Sequence, residues 1–370
     1  MELIKNISNI IGWRTKRKIV VIESDDWGSV RIRSKKDFEE MSRKGLDLNN
    51  SNYTMNDCLE SNSDLSNLFE LLLKHKDSTG RPPVFTPMCI MANPDFEKIQ
   101  HNNFQEYYYE NFAETCNRYP NSNQVLDLWR TGIKERLFVP ALHGREHLNV
   151  SRWLKLLQIG NKGVMTAFDH CSFGPDSYKG IAIPEYLGAF YSDKISDIAY
   201  LEEVIKTADE LFKINCGYNP THFIPPNRES VKLLDITLNK IGVKYLTMAK
   251  IRKHPVGNGK HQTELVWLGK KNTTTGQFYI TRNSWFEPSH RHIDFVDRGL
   301  KEMEIAFRWG KPAVFSSHRV NFVGSIQTEN AAYGLKELNR FLIAVIKKWP
   351  EIEFMTSTEL GELIESGINQ

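Results

Sequence analysis

Two adjacent carboxylates, Asp25 and Asp26, close an apolar run in Lys18-Ile-Val-Val-Ile-Glu-Ser-Asp-Asp-Trp-Gly28. The run reads as a buried strand, because β-branched residues fill Ile19 to Ile22 and a glycine ends it. Neighbouring carboxylates at a strand end repel each other, a cost relieved when a cation lies between them or when one holds a proton. The pair therefore points to a metal or acid–base site, although a solvated turn rich in Asp and Gly explains the segment equally well on its own. A second apolar run, Leu137-Phe-Val-Pro-Ala-Leu-His-Gly-Arg-Glu-His147, ends in two histidines four apart. If a helical turn starts at Gly144, both imidazoles lie on one face and reach one ion. One Asp and two His give three protein ligands, which leave positions for water and substrate, the pattern of catalytic rather than structural sites.

A third run, Pro312-Ala-Val-Phe-Ser-Ser-His318, also stops at a histidine and is followed by Arg319 and Asn321. In Thr221-His-Phe-Ile-Pro-Pro-Asn227 consecutive prolines fix a rigid loop after a short strand. Taken singly, each ending is ordinary: a histidine pair on a helix surface, a core histidine, a plain strand exit. Several endings that carry ligating or titratable groups suggest one shared rim.

The elements that must position these groups alternate between strand and helix. Ile198, Leu201, Val204, Ile205, Ala208 and Leu211 line one helix face, and Val296, Leu300, Met303 and Phe307 another. Leu335, Leu338, Leu342 and Val345 mark a late helix; further strands are expected at Val84 to Met91, Val164 to Phe168, Lys244 to Met248 and Phe278 to Arg282. Such alternation predicts an α/β barrel, whose functional residues gather at the carboxyl ends of the strands. The 370 residues suit one barrel domain over 1–370 with a long insertion after the first strand, at about 34–136. That insertion is polar, carries Tyr107-Tyr-Tyr109, and either caps the site or only supports it. Lys253 to Gly276 reads as exposed loops.

Composition narrows the partners. A net charge of +3 with scattered Lys and Arg offers no stripe for nucleic acid. Trp13-Arg-Thr-Lys-Arg-Lys18 reads as a solvated basic face. The amino terminus lacks a signal-peptide pattern and no apolar stretch is long enough to cross a bilayer. Five cysteines without a C-x-x-C pair suit reduced thiols, so a cytoplasmic protein is expected. Nothing in the sequence sets the oligomeric state.

In order along the chain, these segments resemble the polysaccharide deacetylases, carbohydrate esterase family 4 or NodB-homology domain, as a divergent member. The resemblance spans roughly residues 18 to 360, and its specific positions are few. The Asp-Asp-Gly-like first motif is matched by Ser24-Asp25-Asp26-Trp27-Gly28, with Trp27 inserted. The His-Ser/Thr-x-x-His motif is matched by His143 and His147, with Gly144 in place of the hydroxyl residue. The closing Leu-x-His-like strand is matched by Phe315-Ser-Ser-His318, and Glu353 to Leu360 by the last strand and helix. The resemblance implies a distorted (β/α) barrel with Asp25 as catalytic base, His318 as general acid, and Asp26, His143 and His147 holding one divalent ion. Zinc leads, with cobalt, manganese or nickel admissible. The third motif, Arg-x-Pro, whose Arg orients the catalytic Asp, is broken by Ile224; Arg228 or Arg319 is expected to supply that charge. The fourth motif, an Asp and Trp pair, has no clear match, and Trp285 is its candidate wall. Trp27, Pro226, Asn227, Arg228, Trp285 and Arg319 are the candidate substrate contacts, with a core or lid position as the plainer reading of both tryptophans. The implied activity is metal-dependent removal of N- or O-linked acetyl groups from a saccharide or polysaccharide intermediate. The alternatives are a catalytically silent saccharide-binding relative and a glycosidase on a related barrel.

Overall fold

The structure, a computed structural model, describes residues 2–192, 194–257 and 260–367. Its centre is a nine-stranded sheet in which every ladder is parallel. From one end the order is Phe278–Ile280, Tyr245–Thr247, His222–Phe223, Ala141–Gly144, Phe85–Ile90, Lys18–Trp27, Ala313–His318 and Ser284–Trp285, while Ile352–Met355 pairs with the lower half of Lys18–Trp27. The two ends of this order are joined by only three residues of chain, Thr281 to Asn283, so the sheet curls into a distorted (β/α) barrel, as expected. The seam falls at Arg282.

Period-two alternation divides the first strand between two layers. Ile19 and Val21 meet Tyr245, Ile280, Val314 and Met355 inside the barrel, whereas Val20 and Ile22 join the larger core under the helices. The inward face continues upward as Glu23 and Asp25. Three long helices cover the outside, at Ile198–Cys216, Phe295–Arg308 and Thr328–Lys348, as their apolar spacing predicts. The last helix, Ser357–Glu365, starts on a reciprocal cap between Thr356 and Glu359. That cap also aims Ser357 Oγ at Glu23 Oε1, 2.7 Å away.

Two expectations fail here. Residues 164–168 lie in the helix Lys162–Phe168, because Asn161 caps its first turn and only Val164, Ala167 and Phe168 turn inward, a helical rather than alternating pattern. Residues 253–276 are not all loop: Ile251–Gly257 and Lys260–Leu265 pair antiparallel, a ribbon whose exposed second strand hid its alternation. Within 34–136, Phe85–Ile90 sits in the sheet directly beside the first strand, and helices surround it. No helix among the described residues is long and apolar enough to cross a membrane.

Candidate active site

A cleft of about 700 Å³ opens at the carboxyl ends of the strands, and Asp25, Asp26, His143, His147 and His318 all line it. Consecutive residues on a regular strand face opposite sides, yet Asp25 and Asp26 both enter the cleft. Asp26 has a left-handed backbone, φ 76°, and the register against Phe85–Ile90 slips between Ser24 and Trp27. This bulge re-aims the second carboxylate.

Asp26 Oδ1 lies 3.5 Å from His143 Nε2 and 3.2 Å from His147 Nε2, and the three ligand atoms fall within 4.8 Å of one another, all buried. His143 Nδ1 is 2.8 Å from the Ile224 carbonyl, which turns Nε2 toward Asp26. The helical turn expected at Gly144 is absent. His143 belongs to the strand Ala141–Gly144, and His147 returns to it through a loop that Gly144 opens at φ 144° with the Phe190 ring where a Cβ would stand, 3.1 Å off. A hydroxyl residue at 144 does not fit that bend. Burial pushes the Asp26 carboxyl up, but His147 and His143 more than offset it and hold it well below the usual range. A buried carboxylate facing two imidazole nitrogens, one oriented by a carbonyl behind it, is a donor set that fits a divalent ion.

Asp25 is gripped from the side. Arg282 donates from Nη2 to Oδ1 at 2.5 Å and from Nη1 to Oδ2 at 2.7 Å, while its Nε reaches Glu23 Oε2 at 2.6 Å. Glu23 is completed by Thr247 Oγ1 and Ser357 Oγ. Burial raises the Asp25 carboxyl, and Arg282 overcomes this and holds it below its ordinary value. The charge expected from Arg228 or Arg319 therefore comes from Arg282, at the barrel seam. Ile224 instead fills the interior with Met88 and Ala141.

His318 is the direct ladder neighbour of Asp25, with Nε2 at 3.6 Å from Asp25 Oδ2. Its Nδ1 lies 2.6 Å from Glu287 Oε1, and Asn321 Nδ2 donates to Glu287 Oε2 at 2.7 Å. Burial disfavours the imidazolium, but Glu287 and then Asp25 outweigh it and lift the His318 pKa to about 9. Tyr53, from the 34–136 segment, stands edge-on to the His318 ring at 5.2 Å.

Of the expected substrate contacts, Asn227, Arg228 and Trp285 line the cleft. Three do not. Trp27 is fully buried, donating to Ser24 Oγ and packing edge-on against Phe138. Pro226 is buried behind the rim. Arg319 is enclosed by Asp57, Glu60 and the Ser29 carbonyl, an internal ion cluster rather than a ligand contact. Tyr107 and Tyr109 stack on Arg145, not on the cleft. Arg282, Glu287 and Glu23 were missed from sequence. Arg282 obeys the same strand-end rule that marks Asp26; Glu287 follows a two-residue strand too short to leave a pattern.

The sequence matches no family model and no curated protein. Among solved structures, a Mycobacterium smegmatis protein described as a polysaccharide deacetylase is 12% identical, with a TM-score of 0.42 over 97% of this chain and 94% of that one. The PuuE allantoinase is 12% identical, TM-score 0.43, over 97% and 94%. A glycoside hydrolase/deacetylase of Parabacteroides distasonis is 9% identical, TM-score 0.48, over 96% and 73%. Likeness at this level says nothing about activity.

Proposed function

We propose that the protein is a metal-dependent hydrolase that removes acetyl groups, N- or O-linked, from a saccharide or a polysaccharide intermediate. In this reading residues 1–370 form one deacetylase-like domain and the enzyme works in the cytoplasm, where its unpaired cysteines stay reduced. Asp26, His143 and His147 would hold the ion, with zinc the first choice for an O/N/N donor set. When bound, the ion supplies Lewis acidity, polarising an acetyl carbonyl and acidifying a water. Asp25, kept ionised and oriented by Arg282, accepts a proton from the attacking water. His318, kept charged by Glu287, gives its proton to the departing nitrogen or oxygen. The acyl C–N or C–O bond breaks, a new C–O bond forms, and acetate leaves with the free amine or hydroxyl. Trp285 and Tyr53 offer ring faces to the sugar, and Asn227 and Arg228 offer donors at the rim.

The observation that carries this reading is the Arg282 grip on Asp25 beside the Asp26–His143–His147 cluster. A chain that had lost turnover has no use for a base held ionised against its burial, which favours an active enzyme over a silent saccharide binder. Metal analysis of the purified protein, combined with an acetate-release screen over N- and O-acetylated saccharides, tests it. Bound metal with no acetate released indicates the silent relative, and release of sugar without acetate indicates a glycosidase.

A further inference from the structure

A second pocket of about 390 Å³ opens beside the first and shares Arg228, Arg282, Trp285 and Ser316 with it. None of its lining residues is acidic. Arg282 is spent on Glu23 and Asp25, but among the described residues the other lining cations, Lys5, Arg228, Lys250 and Arg298, share a single carboxylate. That carboxylate is Glu302, which takes Lys5 and Arg298 on one oxygen and the Trp285 amide on the other. Among the described residues Lys250 reaches only Ser8, through its carbonyl at 2.8 Å and its hydroxyl at 3.1 Å, and burial pulls its ammonium down to about 8. The Arg228 guanidinium has no carboxylate partner among the described residues. Exposed Arg228 and the more buried Lys250 line the same opening, and an anionic ligand there would supply the counter-charge that Lys250 lacks.

We propose that this pocket holds a phosphoryl group carried by the acetylated sugar, so that the substrate class is a sugar phosphate or a diphosphate-linked saccharide. The proposal rests on the hydrolase reading for what happens to the sugar, and on the pocket alone for what is bound. A phosphoryl group brings up to two charges and three acceptor oxygens, which match the unspent Arg228 fork and the Lys250 ammonium. A neutral glycan offers those groups hydrogen-bond acceptors but no counter-charge. The shared residues let one molecule place its acetyl group at Asp25 and its phosphate beyond Trp285.

The test is calorimetric titration of the metal-loaded enzyme, at low salt, with N-acetylglucosamine and with N-acetylglucosamine 1-phosphate. The phosphorylated sugar should bind at least about tenfold more tightly, and Arg228→Gln or Lys250→Gln should each cut that ratio severalfold. Arg228 lies on the exposed rim, so its variant folds whatever happens at Lys250. Equal binding of the two sugars, or a ratio that survives both substitutions, overturns the proposal. So does phosphate affinity that vanishes in His143→Ala but persists in Arg228→Gln, because the anion would then be on the ion. UDP-N-acetylglucosamine and a lipid-diphosphate-linked sugar in detergent separate the two sources of the group. If no sugar releases acetate, the hydrolase reading falls while the titration still decides the pocket.

Discussion

Arg282→Met removes the cation that Glu23 and Asp25, both buried, share and should damage stability and turnover together. Arg282 makes four hydrogen bonds, one to Glu23, two to Asp25 and one to Ser316. Glu23 is fully buried and Asp25 is 5% exposed, so neither charge can turn to bulk water when the guanidinium is gone. Deleting one member of a buried ion pair costs about 3–5 kcal/mol, mostly as desolvated charge left unpaired. With a urea m-value of about 3 kcal/mol/M, the midpoint falls by about 1 M or more. The loss should depend on pH. In the intact protein the Asp25 carboxyl lies below its unfolded value of 3.8, so its stabilising contribution is present above that pH and fades as pH falls through the folded value. Without Arg282, burial of Asp25 is opposed only by the His318 and His143 imidazoles, so its pKa moves up, and the variant is penalised at neutral pH and relieved on acidification. Urea unfolding of both proteins at pH 7 and pH 4.5 measures this directly. A variant within about 1 kcal/mol of the parent at pH 7, or a difference that does not shrink in acid, refutes the assignment of Arg282 as the clamp.

The ion-holding and base roles separate in a second experiment: His143→Ala or His147→Ala should lose bound metal and acetate release together, whereas Asp25→Asn should keep the metal and lose turnover by at least about a hundredfold. Elemental analysis beside the activity assay reads both, and full activity in Asp25→Asn removes the base assignment. Glu287→Gln weakens the largest attraction that opposes burial of the His318 imidazolium, so the alkaline limb of the pH–rate profile should move to lower pH; an unmoved limb counts against His318 as the acid. Because His318 rises from 6.5 to about 9 on folding, its stabilising contribution is complete below pH 6.5 and lost as pH climbs toward 9, and Glu287→Gln should narrow that window in thermal melts. Gly144→Thr restores the hydroxyl residue of the family motif, yet the bend at φ 144° against Phe190 predicts weaker metal binding rather than a gain, measured by competition with a chelating dye.

Much of the site was legible because its residues end strands. Asp26, His143 and His318 each close an apolar run, and parallel strands packed in a barrel deliver their carboxyl ends to one rim, so position in the chain converts directly into position in space. The helices were legible for a similar reason, since an amphipathic stripe such as Ile198 to Leu211 reports its own buried face. The 164–168 segment misled because a short apolar run of five residues fits a strand or one helical turn equally well, and only the cap at Asn161 decides.

The sequence by itself determined the buried first strand that ends in Asp25 and Asp26 and the apolar runs that end at His143 and His318, because these follow from residue types within single segments, whereas the proposed ion-holding and acid roles came only with the family resemblance. Tertiary structure decided how these residues are charged and aimed. The bulge that turns Asp26 beside Asp25, the Ile224 carbonyl that orients His143, and the pairing of Glu287 with His318 all join segments far apart in the chain. So does Arg282, which no local pattern ties to Asp25, 257 residues away. It meets that carboxylate only because the curled sheet brings its last seam over its first strand, and electrostatics inside a barrel depend on distance through space rather than along the chain.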